Sequence, residues 1–72
     1  MKPFATILFD HYSVQVFDDY TLDGIHTDFL SFCDRIFDGK KYHILVTDHG
    51  KKIAISTDKI IAIRSLESPT RD

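Results

Sequence analysis

"HTDFLSFCDRIFDGKK", residues 26–41, is the stretch on which the reading of the fold turns. Phe29, Phe32, Cys33 and Ile36 fall at i, i+3, i+4 and i+7, the spacing that gathers side chains on one stripe of an α-helix, and Leu30 and Phe37 widen that stripe. Thr27 is placed to cap the free amides at the start, and Asp28 meets the positive end of the helix dipole. Gly39 supplies the left-handed residue that ends a helix, and Lys40 and Lys41 follow it. Burying several such side chains is worth about 1.5 to 3 kcal/mol each before ordering costs, so this helix is expected to supply a large share of the core.

Apolar and polar residues alternate in the segments before the helix, "FATILF" (4–9) and "SVQVF" (13–17), which predict a β-hairpin. A two-residue turn at His11 and Tyr12 sets Phe9 opposite Val14 and Ile7 opposite Val16, with Ala5 on the same face. The other face carries Phe4, Leu8 and Phe17 beside Thr6, Ser13 and Gln15. A strand pair that is apolar on one side and half apolar on the other predicts either a curled, barrel-like sheet or an uncovered patch for a partner.

After the helix, "YHILVTDHGKKIAIS" (42–56) predicts a second hairpin. A two-residue turn at His49 and Gly50 places Val46 opposite Ile53 and Ile44 opposite Ile55, with Tyr42 on the same face. The last strand follows a short connection at Thr57–Lys59 and is expected to set Ile61 against Ile55 and Ile63 against Ile53. The order β-β-α-β-β-β predicts a single small α+β domain over residues 1–67, an antiparallel sheet packed by one helix, with a flexible polar tail at 68–72. The glycine, the alternating isoleucines and the short last connection also resemble the closing strands of small SH3-like or Sm-like barrels. That likeness spans about fifteen residues and no family motif, so a small barrel with an inserted helix stands as the alternative architecture.

A chain of 72 residues allows one domain with a thin core. Its 43% apolar and 12% aromatic content places it among folded chains, since disordered ones lack that supply of buriable surface. Cys33 is the lone cysteine, which excludes an intrachain disulfide and any multi-cysteine zinc site and predicts a reducing, cytoplasmic setting. The apolar run at the start stops at Asp10, too soon for a secretory signal, and no stretch approaches a membrane span. Charge is uneven: residues 1–38 carry net −5 and residues 39–72 net +3. The simplest consequence is mutual attraction of the two halves.

Five aspartates and two histidines crowd into residues 10–28, "DHYSVQVFDDYTLDGIHTD". Asp18, Asp19, Asp23, His26 and Asp28 would serve a divalent ion if the loop folded back on itself. The run lacks both the alternating acidic pattern of a calcium loop and an H-E-x-x-H pair, and each aspartate has a place in a turn, a strand end or a helix start. No metal is expected there. Cys33 lies inside the apolar stripe, where a thiol behaves as a small hydrophobe, and no serine has a G-x-S-x-G setting. His11, His26, His43 and His49 fall mainly in expected turns or at strand starts, and the three glycines stand apart, so no phosphate loop exists. Neither catalysis nor a cofactor is expected.

What remains is binding. Lys40, Lys41, Lys51, Lys52, Lys59 and Arg64 all lie in the C-terminal half, where a positive sheet could engage nucleic-acid phosphates. The net charge of −2, and the common use of lysine to deter edge pairing, favour a solvated edge instead. The leading expectation is a small non-catalytic protein-interaction or regulatory module that contacts a protein partner or a second copy of itself through Phe4, Leu8 and Phe17. Nucleic-acid binding through the basic strands is the alternative, and no membrane association is expected.

Overall fold

β-Branched and aromatic residues alternate with polar ones across the first hairpin, and in the computed structural model they form β1 (Pro3–Leu8) and β2 (Ser13–Phe17). The structure describes residues 2–66. The expected boundary at residue 67 and the tail at 68–72 lie outside the described residues. Ile7 faces Val14 and Ala5 faces Val16, a register two residues away from the one expected. The connection is longer than a two-residue turn: the Phe9 N–H donates to the Tyr12 carbonyl at 2.9 Å, and the two rings stack with centroids 4.7 Å apart. A shift of two preserves which side each residue faces, so Ala5, Ile7, Phe9 and Val16 are buried as the alternation requires.

At the other end of the hairpin Pro3 faces Phe17 while Ala5 faces Val16, which leaves Phe4 as the extra residue of a bulge. Proline at a strand start gives up no ladder bond, and a bulge re-aims the side chain beside it. Phe4 meets Phe29 and Phe32 edge-on, with centroids 6.3 and 5.6 Å apart. Its ring therefore belongs to the packing under the helix.

The last strand, β6 (Ala62–Ser65), pairs with β1, setting Ile63 against Ile7 and Arg64 against Thr6. The expected pairing of Ile61 with Ile55 and Ile63 with Ile53 is thereby corrected. Residues Thr57–Lys59 are a single 3-10 turn, not a hairpin connection. Ser56 Oγ donates to Asp58 Oδ1 at 2.6 Å, and Thr57 Oγ1 donates to the carbonyls of Lys40 and Lys41 at 2.7 and 3.0 Å. The Thr57 bonds fasten the turn to the segment just before β4, and the chain then crosses to β1, where the Ile61 N–H donates to the Leu8 carbonyl at 2.8 Å.

The second sheet has the order β3-β4-β5, with β3 (Thr21–Leu22), β4 (Tyr42–Val46) and β5 (Lys52–Ser56). The two-residue β3 falls inside the stretch read as loop and buries Leu22 against Leu45 of β4. Val46 faces Lys52 and Leu45 faces Ile53, one residue away from the expected register. The Thr47 N–H donates to the Lys51 carbonyl at 2.8 Å and the Gly50 N–H to the Thr47 carbonyl at 3.0 Å, so the connection runs through Thr47–Lys51. Gly50 takes a φ of +76° inside it, which glycine adopts without steric cost. A slip of one inverts β4. His43 and Leu45 face the core, while Tyr42, expected on the buried side, is exposed.

Between β3 and β4 runs α1 (Phe29–Ile36). Asp28 caps it in place of Thr27, its Oδ1 accepting the Ser31 N–H at 2.8 Å. Phe32 and Ile36 are buried and Phe29 and Cys33 are half-buried. Leu30 and Phe37 point outward, 74% and 60% exposed, so the buried stripe is narrower than the apolar one. Ala5, Ile7 and Val16 of the first sheet share one core with Leu22, Leu45 and Ile55 of the second and with Phe32 and Ile36 of α1. This is a small α+β domain whose antiparallel strands are divided into two three-stranded sheets, with no ladder joining them among the described residues.

Candidate functional site

Inverting β4 creates the most concentrated chemistry of the molecule. Asp23 follows β3 with a φ of +54°, a conformation that aspartate tolerates better than most residues. Its N–H donates to the Ile44 carbonyl at 2.7 Å, and its Oδ1 accepts the Ile44 N–H at 2.9 Å. Its Oδ2 lies 2.5 Å from His43 Nδ1. On the far side of the ring, His43 Nε2 lies 3.2 Å from Oδ1 of Asp38, which also accepts the Lys40 N–H at 3.0 Å. The imidazole has 0% exposure, against 25% and 31% for the two carboxylates. One buried ring thus ties the turn after β3, the middle strand of the sheet and the segment that leaves α1.

Both carboxyls hold their protons less tightly than usual. Burial alone would raise Asp23, but the Ile44 N–H, the His43 hydrogen bond and the positive charges of His43 and Lys40 outweigh it and place its pKa below the ordinary value. The Lys40 N–H lowers Asp38, helped against a partial burial penalty by His43 and Lys40. Both ring nitrogens of His43 lie against carboxylate oxygens, Nδ1 against Asp23 and Nε2 against Asp38. With both nitrogens engaged and no exposed surface, the imidazole has no free position from which to exchange a proton with a substrate. The cluster is a clamp within the fold.

The acidic stretch does not converge on a point. Asp18 Oδ1 accepts the Lys2 N–H at 3.4 Å, Asp28 caps the helix, Asp23 turns to His43, and Asp10 pairs with His11 at 3.0 Å on the surface. Among the described residues, no three histidine, cysteine, aspartate or glutamate side chains are grouped to hold a metal ion.

Phe4, Leu8 and Phe17 are all half-buried. Phe4 packs on Phe29 and Phe32, and Phe17 lies 5.5 Å from the Tyr20 ring. The basic residues divide between the two sheets. Lys40 lies near Asp23 and Asp38, Lys41 and Lys59 near Asp58, Lys51 and Lys52 at the β4–β5 connection, and Arg64 on β6 in the other sheet.

A different apolar surface stands out. Leu30 on α1 and Phe37 at its C-terminal cap are both exposed, and the half-buried Cys33 lies between them in the chain. Asp34 follows Cys33, and burial together with its charge pushes the Cys33 thiol upward. Phe37 also borders a cleft of about 560 Å³ between Ile36–Lys41 and Ser56–Asp58. The signal was present in the sequence: apolar residues occupy more of the helix circumference than one sheet face covers. Comparison of the chain with family models, curated proteins and solved structures returns no match.

Proposed function

We propose that this chain is a small, non-catalytic protein-interaction or regulatory module of the cytoplasm, and that the outward face of α1 is its contact surface. The observation that carries the reading is the exposure of Leu30 on α1 and of Phe37 at its C-terminal cap, two large apolar side chains left in water beside a helix whose opposite side is buried. Apolar groups scattered singly on a surface need no explanation, but two beside one short helix are surface that association would remove from water. The clamp around His43 supports the same reading. It fixes the end of α1 to the sheet, so this surface is presented by a rigid element and little ordering cost remains for binding.

Among the described residues no helix is long and apolar enough to cross a membrane. The nucleic-acid alternative draws less support, because Lys52 lies in a different sheet from Arg64, and Lys40, Lys41 and Lys59 each have a carboxylate nearby.

A photo-crosslinking amino acid introduced at Leu30, in cells that make the protein, is expected to capture discrete adducts. The same group at the exposed Gln15 is expected to capture none. Equal capture at the two positions, or none at Leu30, would contradict the reading.

A further inference from the structure

The dipeptide Asp–Gly occurs at Asp23–Gly24 and again at Asp38–Gly39, and these two aspartates are the ones that clasp His43. An aspartate followed by glycine is able to modify itself. Glycine has no Cβ to keep its backbone nitrogen at a distance, so that nitrogen attacks the carboxyl carbon of the preceding side chain. The amide hydrogen and the hydroxyl of the protonated carboxyl leave together as water, and a cyclic succinimide remains. Water then opens the ring at either carbonyl: one opening restores aspartate, and the other gives isoaspartate, whose main chain runs through Cβ. Ionisation slows the attack at both positions, since both carboxyls are held in the charged form. Geometry is what separates them.

Asp23 is locked. The Leu22 N–H donates to the Ile25 carbonyl at 2.9 Å and the Ile25 N–H to the Leu22 carbonyl at 3.0 Å, which closes a tight turn around Asp23 and Gly24, both at positive φ. Ile44 holds Oδ1 and His43 holds Oδ2, so the carboxyl cannot swing toward Gly24 without breaking both bonds. Asp38 is held differently. Its Oδ1 accepts the Lys40 N–H at 3.0 Å, an Asx turn that folds the carboxyl back over its own peptide bond to Gly39. His43 Nε2 lies against that same oxygen, and among the described residues Oδ2 accepts from no protein donor. Asp38 and Gly39 are both exposed. We infer that Asp38 is a site of spontaneous isomerisation in the folded protein, that Asp23 is shielded from it, and that conversion of Asp38 releases His43 from the end of α1. Isoaspartate adds one methylene to the main chain between α1 and β4 and leaves its carboxylate on Cα. The acceptor shared by the Lys40 N–H and His43 Nε2 is thereby displaced, while the bonds to Asp23 stay. The inference stands on the clamp and is independent of the interaction reading above.

Prolonged incubation of the full chain at mildly acidic pH and body temperature tests it, followed by peptide mapping that resolves aspartyl from isoaspartyl peptides of equal mass. Isoaspartate is expected to accumulate at position 38 severalfold faster than at position 23. In urea the two positions are expected to convert at similar rates, because unfolding removes the bonds that distinguish them. Chains carrying isoaspartate at 38, separated from the parent by chromatography, are expected to melt at a lower temperature. Their His43 is expected to react with diethyl pyrocarbonate severalfold faster than in fresh protein. Equal conversion at the two positions in the folded chain, or none at 38 over a period in which the unfolded chain converts both, would overturn the assignment of the site. Unchanged reactivity of His43 in the isoaspartate form would overturn the release of the clamp.

Discussion

The two sheets meet in one core but are held there by different physics. From β2-β1-β6 the residues fully buried are Ala5, Ile7 and Val16, all apolar. From β3-β4-β5 they are Leu22, Leu45 and Ile55 together with His43, clasped between Asp23 and Asp38. Apolar burial is non-directional: it rewards any register that keeps the right side inward. Hydrogen bonds to an imidazole work only in one register, because a slip of one residue would carry the ring to the other side of β4. The first sheet is thus stabilised in bulk, and the second is also specified by particular contacts.

Substitution in the two cores should separate these contributions. His43→Ala is expected to have the largest effect, because it leaves a cavity where a fully buried ring stood and strips two carboxylates of their partner. Ile7→Ala is expected to cost about 3 kcal/mol by the loss of buried methylenes and the cavity left behind. Urea denaturation at neutral pH measures both. A loss at His43 smaller than that at Ile7 would mean that the clamp is no more than filler.

Acid should distinguish the sheets further. The folded-state pKa values of Asp23 and Asp38 are depressed, so the stability they contribute is fully present above the ordinary carboxyl value near 3.9 and is lost as pH falls through the folded values. The melting temperature of the wild type should therefore begin to fall below roughly pH 5 and continue downward. In His43→Ala this acid dependence should be shallower, since the histidine no longer favours the charged carboxylates. In Ile7→Ala it should run parallel to the wild type. Parallel curves for all three would show that the clamp contributes nothing that titrates.

The smallest effect concerns the helix that bridges the two sheets. Asp28→Ala removes the side chain that accepts the Ser31 N–H and should lower the melting temperature, whereas Thr27→Ala should leave it nearly unchanged. The reverse ranking would restore the cap first expected from the sequence.

How much of this was legible in the sequence follows from the same contrast. The first hairpin tolerated an error of two residues in register, because period-two alternation returns each side chain to its own side. The β4 segment "YHILV" is apolar at alternate positions and at adjacent ones, so its pattern does not say which side is inward. Five residues in the connection, in place of two, decided the question. His43 was invisible as a core residue for that reason, and its partners lie 20 and 5 positions away, beyond any local motif. The destination of the last strand was also hidden. "STDK" looks like a hairpin connection, and only the bonds from Thr57 to Lys40 and Lys41 show that it turns the chain toward β1. The helix was legible almost to the residue, but its apolar width was mistaken for its buried width, and this concealed the exposure of Leu30 and Phe37.

The central claim is the inversion of β4 that encloses His43. Reaction of the native protein with diethyl pyrocarbonate, read residue by residue in a mass spectrometer, tests it directly. His11 and His49 have side chains 89% and 87% exposed and His26 is exposed as well, so these three should be modified quickly. His43 should stay unmodified until the chain is unfolded; modification at the same rate as the other three would place its ring in water and contradict the fold described here.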